Sequence, residues 1–147
     1  MRTEKCSQCG ADAQVVRGSH RFNESGLSGV VLQGIEVLRC KKCHNHEPII
    51  PHINEMMQVL ALAVINKKYR LKGEEVRFLR KYIRMTQEEF AALIHVDKAT
   101  LSKWENNEHP VGQNSERLIG LLGAIGIPKK RGAYKKRASY WRTILFR

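Results

Sequence analysis

Two kinds of apolar spacing divide the chain. Between Gln14 and Arg17, and again from Gly29 to Arg39 (GVVLQGIEVLR), β-branched residues run in short stretches punctuated by Gly26, Gly29 and Gly34, the pattern of hairpin strands. From Asn54 the period becomes helical: Met56, Met57, Val59, Leu60, Ala63 and Val64 fill two adjacent faces up to about Tyr69, with Asn54 as N-cap. Such a helix is too apolar for a free linker and must be covered, by its flanking modules or by a second subunit. Asn66–Gly73 reads as a polar connection. Shorter helical segments follow. Glu74–Ile83 turns Val76, Leu79 and Ile83 inward, a segment opening near Gln87 buries Phe90, Ala91 and Ile94, the next buries Leu101 and Trp104, and Ser115–Ile125 buries Leu118, Ile119 and Leu122. The pattern predicts an α+β chain, a small N-terminal module of short strands and then an all-helical module.

Local capping chemistry fixes where two of these helices begin. Thr86 and Glu89 have the S/T-x-x-E spacing of a capping box, in which each side chain serves the other's backbone amide. Asp97 is an N-cap for the second helix, and Val96 plugs the turn between the two. Lys98, Ala99, Ser102, Lys103 and Asn106 are then left toward solvent.

All four cysteines fall in two identical spacings, CSQC at Cys6 and Cys9 and CKKC at Cys40 and Cys43. Zinc(II) takes four tetrahedral ligands, and two thiolates two residues apart can point into one turn, so two such knuckles complete a closed shell. Disulfides are disfavoured in a cytosolic chain, and a thioredoxin-like redox pair would lack its βαβ context. His44, His46 and His52 stand near as substitute donors. One structural Zn2+ per chain leaves no open position for a catalytic water. The small sheet has little core, so the metal supplies part of its folding free energy. This organisation gives a four-cysteine zinc-binding domain at 1–53, a connecting helix at 54–71, a third domain at 72–126 and a tail at 127–147.

The run VRFLRKYIRMTQEEFAALIHVDKATLSKWENNEHP resembles the Cro and lambda-repressor type helix-turn-helix family, across roughly Val76–Ile125. In such a pair the second helix fits the major groove and the first crosses the backbone. Lys98, Ala99, Thr100 and Lys103 form the base-proximal set: lysine donates to guanine, and Ala99 or the Thr100 methyl meets a thymine methyl. The resemblance implies that Gln87 and Asn106 contact the DNA backbone and that Ala99 and Lys103 read bases, with Ser102 on the same DNA-binding surface. His95 stands where the family's turn usually carries glycine, and histidine is among the residues that tolerate positive φ. Together the zinc knuckles, the connecting helix and the helix-turn-helix look like the MqsA family of type II antitoxins with its YgiT-type zinc finger, over about Cys6–Ile125. That resemblance implies a homodimer on double-stranded DNA repressing its own operon, and a toxin bound by the zinc module.

Charge adds a further element. The chain has 26 Lys and Arg against 14 Asp and Glu, a formal net charge of +12, which favours an anionic partner. Lys72–Gly126 is neutral, eight basic residues facing eight acidic, whereas 127–147 holds eight basic residues and no acidic one. Lys129, Lys130, Arg131, Lys135, Lys136 and Arg137 are therefore candidate phosphate contacts that would raise affinity at low salt. SYWRTILFR, at the end, has helical spacing suited to packing on the body, on a second subunit or on a membrane.

The apolar run Met56–Ile65 is well short of the ~20 residues a membrane helix needs, and no secretory h-region follows the start, so the chain reads as a cytoplasmic, nucleoid-associated bacterial protein rather than a membrane one. No set of acid, base and nucleophile stands out, which argues against an enzyme. The reading is a zinc-containing, sequence-specific regulator, with half-sites about one helical turn apart, ~34 Å. A stand-alone phage or mobile-element regulator without a toxin, and an RNA-binding zinc ribbon, are the alternatives.

Overall fold

Pairing extends the strands beyond what their own residues announce. In the computed structural model, which describes residues 2–127 and the backbone of 144–146, β1 (Thr3–Lys5), β2 (Asp12–Arg21), β3 (Val30–Arg39) and β4 (His46–Ile49) form an antiparallel sheet in that order. The sequence predicts β2 only over Gln14–Arg17. Its second half is polar, and it is a strand because β3 offers partners up to Arg21↔Val31. The register passes from Gly18↔Ile35 to Ser19↔Gln33 and leaves Gly34 unpaired at φ 69°, a β-bulge. That extra residue shifts the alternation, so that even-numbered Val30 and Leu32 and odd-numbered Val37 are all buried.

The far edge of β3 is shared. β4 covers Glu36–Arg39, and β5 (Ile144–Phe146) covers Val30–Leu32. The helical spacing expected for the final segment therefore gives way to a strand at 144–146. Main-chain donors left open on β3 outweigh a short local periodicity.

α1 (Ile53–Ile65) starts one residue before the expected cap: His52, at φ 55°, is the N-cap, and Asn54 lies in the first turn. The helix stops at Asn66, whose side-chain amide donates to the Leu62 carbonyl (2.8 Å), rather than reaching Tyr69. Its buried residues Met56, Leu60, Ala61 and Val64 lie between the sheet and the helices that follow. Phe22, Leu27, Val30 and Leu32 share this continuous core with Val76, Leu79, Phe90, Leu101 and Ile119. The cover that α1 requires is thus found within the chain.

α2 (Gly73–Tyr82), α3 (Gln87–Leu93), α4 (Lys98–Glu105) and α5 (Gln113–Ile125) complete the helical half, giving an α+β chain. α2 meets α4 at Gly73, where a Cβ would sit 2.3 Å from the Trp104 carbonyl oxygen. Only glycine allows that approach. The Gly73 amide donates to Asn107 Oδ1 (2.7 Å), and Ser28 Oγ donates to Glu74 Oε1 (2.6 Å), tying the β2–β3 connection to the start of α2. No helix among the described residues is long and apolar enough to cross a membrane.

Candidate metal centre and nucleic-acid interface

The cysteine knuckles are built by tight turns. The Gly10 amide donates to the Cys6 carbonyl (2.9 Å), and the Cys6 and Cys40 amides donate to the carbonyls of Ala11 and Asn45 (both 2.9 Å). Each knuckle closes on a left-handed residue directly after its second cysteine, Gly10 at φ 69° and His44 at φ 58°. His44 is thus a turn residue, and the donor cluster consists of the four cysteines, without His44, His46 or His52.

Cys6, Cys9, Cys40 and Cys43 bring their sulfurs within 4.8 Å of one another, with Cys6–Cys43 at 3.5 Å and Cys9–Cys40 at 3.6 Å. None is in a disulfide, which would need sulfurs ~2 Å apart. Four Zn–S bonds of ~2.3 Å at tetrahedral angles place sulfurs ~3.8 Å apart, so the donor set fits such an ion. The Cys9 and Gln8 amides, donating to Cys6, hold its thiol down at about 6, and the Cys43 and Lys42 amides lower Cys40. Cys43 also receives an amide hydrogen bond, from Asn45, yet burial and the neighbouring cysteines push it up to about 12. Crowded thiols cannot all ionise without a cation among them. Asn45 Nδ2 adds an outer contact to Cys6 Sγ (3.8 Å) and to Ser7 Oγ (3.4 Å).

The helix-turn-helix is closed by the caps expected from the sequence. The Thr86 amide donates to Glu89 Oε2 (2.8 Å), and the Glu89 amide to Thr86 Oγ1 (3.2 Å). Asp97 Oδ1 accepts from the Thr100 amide (2.8 Å), while Thr100 Oγ1 donates to Asp97 Oδ2 (2.6 Å). These bonds hold the Glu89 and Asp97 carboxyls below the usual range. His95 adopts φ 56° in the turn. Leu101 and Trp104 are buried, and Lys98, Ala99, Lys103 and Asn106 are exposed along α4, with Thr100 and Ser102 half-buried beside them.

Behind this surface lies a buried polar network. Arg80 donates to Glu105 through Nε (2.6 Å) and Nη2 (3.1 Å) and to the Met85 carbonyl through Nη1 (2.9 Å). Gln87 Nε2 donates to Glu105 Oε2 (2.8 Å), and Arg77 Nη2 to Asn106 Oδ1 (2.8 Å) and to the Glu105 carbonyl (3.2 Å). Burial opposes the charge on Glu105, but the hydrogen bonds from Arg80 and Gln87 and the Arg77 charge hold its carboxyl below the usual range. α2, α3 and the end of α4 are therefore locked at one angle. In this structure the Gln87 side chain is engaged inside the protein, and Asn106 is held by Arg77. Lys98 pairs with Glu88 across the α3–α4 step. The Lys103 side chain has no hydrogen bond or ion pair among the described residues. Lys129, Lys130, Arg131, Lys135, Lys136 and Arg137 lie outside the described residues.

Apolar periodicity alone does not single out Arg77, Arg80 and Glu105. The signal was present: Arg80 lies four residues after Val76 and Glu105 four after Leu101, so each charge continues an apolar helix face. Charges placed there are buried, and burial requires a partner.

No curated protein and no solved structure matches the chain. A helix-turn-helix family model matches residues 76–129, from within α2 to just beyond α5, and this match supports a DNA-binding transcription regulator.

Proposed function

We propose that the protein is a sequence-specific transcriptional repressor of the MqsA-like antitoxin type, a homodimer on a palindromic operator. In this reading Lys103 and Ala99 read bases and Lys98, Thr100 and Ser102 lie along the groove. Asn106 approaches phosphates from the end of α4, and Gln87, whose side chain is held by Glu105, does so through its main-chain amide at the start of α3. The observation that carries the reading is the outer face of α4, where Lys103 is exposed and uncommitted while Gln87, Arg80 and Glu105 brace the helix from behind. A rigid support with a free donor suits base readout, because phosphate contacts only position the protein.

Cys6, Cys9, Cys40 and Cys43 would hold one Zn2+, which closes the knuckles and has no role in a reaction. The zinc module is the proposed toxin-binding surface, and the basic segment from Lys129 to Arg137 adds phosphate contacts in the cytoplasm.

Footprinting on the chain's own upstream region locates the operator, and Lys103→Ala is then measured against operators varied one base pair at a time. The expected loss of discrimination is about 1–3 kcal/mol at one position in each half-site. An equal fall for every sequence assigns Lys103 to phosphate and overturns the base-reading role.

A further inference from the structure

On the side of the helical half built from the end of α1, the 66–71 connection and α5 lies a groove of about 680 Å³. Its lining is mainly apolar, with Val64, Ile65, Leu71, Leu121 and Ala124 around Gly120, whose missing side chain leaves open space. Tyr69 stands at its edge 79% exposed and Leu121 is 62% exposed, so large apolar surface meets water here. Four cations line the same groove. Lys67 is spent on Glu75 (2.7 Å), whereas Lys68, Arg70 and Arg117 are exposed and form no ion pair among the described residues. The one acidic side chain in the lining, Glu116, is turned to the Leu71 amide. Apolar surface rimmed by uncommitted charge of one sign is complementary to a partner that carries apolar side chains and the opposite charge.

We propose that this groove binds an acidic, amphipathic segment of another protein, seating aliphatic or aromatic side chains on Leu121 and Leu71 and carboxylates on Lys68, Arg70 and Arg117. The sign of the rim selects the occupant. The chain's own segment after Ile127 carries eight basic residues and no acidic one, so its charge is of the same sign as the rim. A second copy in two-fold contact would set the same cations against each other and one concave surface against another. Phosphate would satisfy the rim but leave the apolar lining wet. The site is separate from the outer face of α4 and holds whichever DNA sequence, if any, that face reads.

The test is selection of random 12-residue peptides displayed on phage against the immobilised full-length chain. The expected result is enrichment of peptides in which Asp or Glu flank Leu, Phe or Trp. A synthetic consensus peptide should then bind at least tenfold more weakly to a Lys68→Glu/Arg117→Glu chain and to a Leu121→Ser chain, both with unchanged melting. Salt should weaken the peptide's affinity for the parent chain. Enriched peptides without acidic residues, or affinity unmoved by both variants, overturn the proposal. So does a parent chain that is dimeric by light scattering and becomes monomeric with Leu121→Ser, since a second copy is then the occupant. Failure to enrich any peptide overturns it too, and a charge reversal that at the same time weakens binding to duplex DNA assigns the rim to phosphate.

Discussion

β3 is one strand with two different anchorages. At its start, Val30 and Leu32 belong to a core of eighteen buried residues shared with α1 and the four helices that follow. At its end, Leu38 and Cys40 belong to a cluster of four, with Cys6 and Ala13. Eighteen apolar side chains can sustain the helical half by burial alone, whereas four cannot offset the ordering of two knuckles and two strand ends. Under the proposed zinc binding, the knuckle end draws its stability from cross-linking, for which the four sulfurs within 4.8 Å are placed. Nearness in one sheet does not imply a common source of stability.

Metal removal breaks the comparison most severely. Structural zinc is worth about 10–16 kcal/mol in small modules, so chelation or Cys40→Ser should abolish amide-exchange protection around Cys6–Ala13 and Leu38–Asn45. Protection in α2–α5 should persist. Simultaneous loss throughout the chain would show that β3 couples its two ends into one cooperative unit.

The next effect attacks the other end. Glu105→Ala strips Arg80 and Gln87 of their partner and leaves a buried guanidinium uncompensated, at a cost of about 3 kcal/mol. Urea unfolding followed by Trp104 fluorescence in a Trp141→Phe background should report the loss, with metal content unchanged. Acid probes the same network. Glu105 has a lowered pKa in the folded chain, so its contribution is complete above the unfolded value of ~4.3 and is lost as pH falls through the folded value. Glu88, Glu89 and Asp97 shift in the same direction. The helical half should therefore weaken as pH falls below about 4.3, and Glu105→Gln should flatten that limb in melting curves taken across pH. At the knuckle end acid acts differently, by protonating sulfurs that must be thiolates to hold a metal.

The smallest expected change is Thr86→Ala. Losing one arm of the capping box should cost about 1 kcal/mol, read as a shift in the urea midpoint of the helical half with no effect on metal content. A shift of several kcal/mol would mean that α3 carries more of the fold than one cap accounts for.

Whatever rests on chemistry between near neighbours was determined by the sequence itself. Two C-x2-C spacings predict two knuckles because both thiols of each pair share one turn. Thr86 with Glu89, and Asp97 with Thr100, cap helices whatever surrounds them. The inward residues Phe90, Leu101 and Ile119 follow from helical period. The positive φ of His95 is likewise a local property of the turn. The tertiary structure decided what depends on a distant partner. β2 runs on to Arg21 because β3 pairs with it, and 144–146 is a strand rather than a helix because an edge of β3 was open. α1 is buried within the chain because sheet and helices meet on it. Arg80 and Glu105, two ordinary charges in the sequence, become the brace of the helix pair only when α2 and α4 cross at Gly73. Gln87 is drawn into that brace by the same crossing. Backbone pairing and charge burial are settled by groups far apart along the chain, and periodicity within one segment holds no record of them.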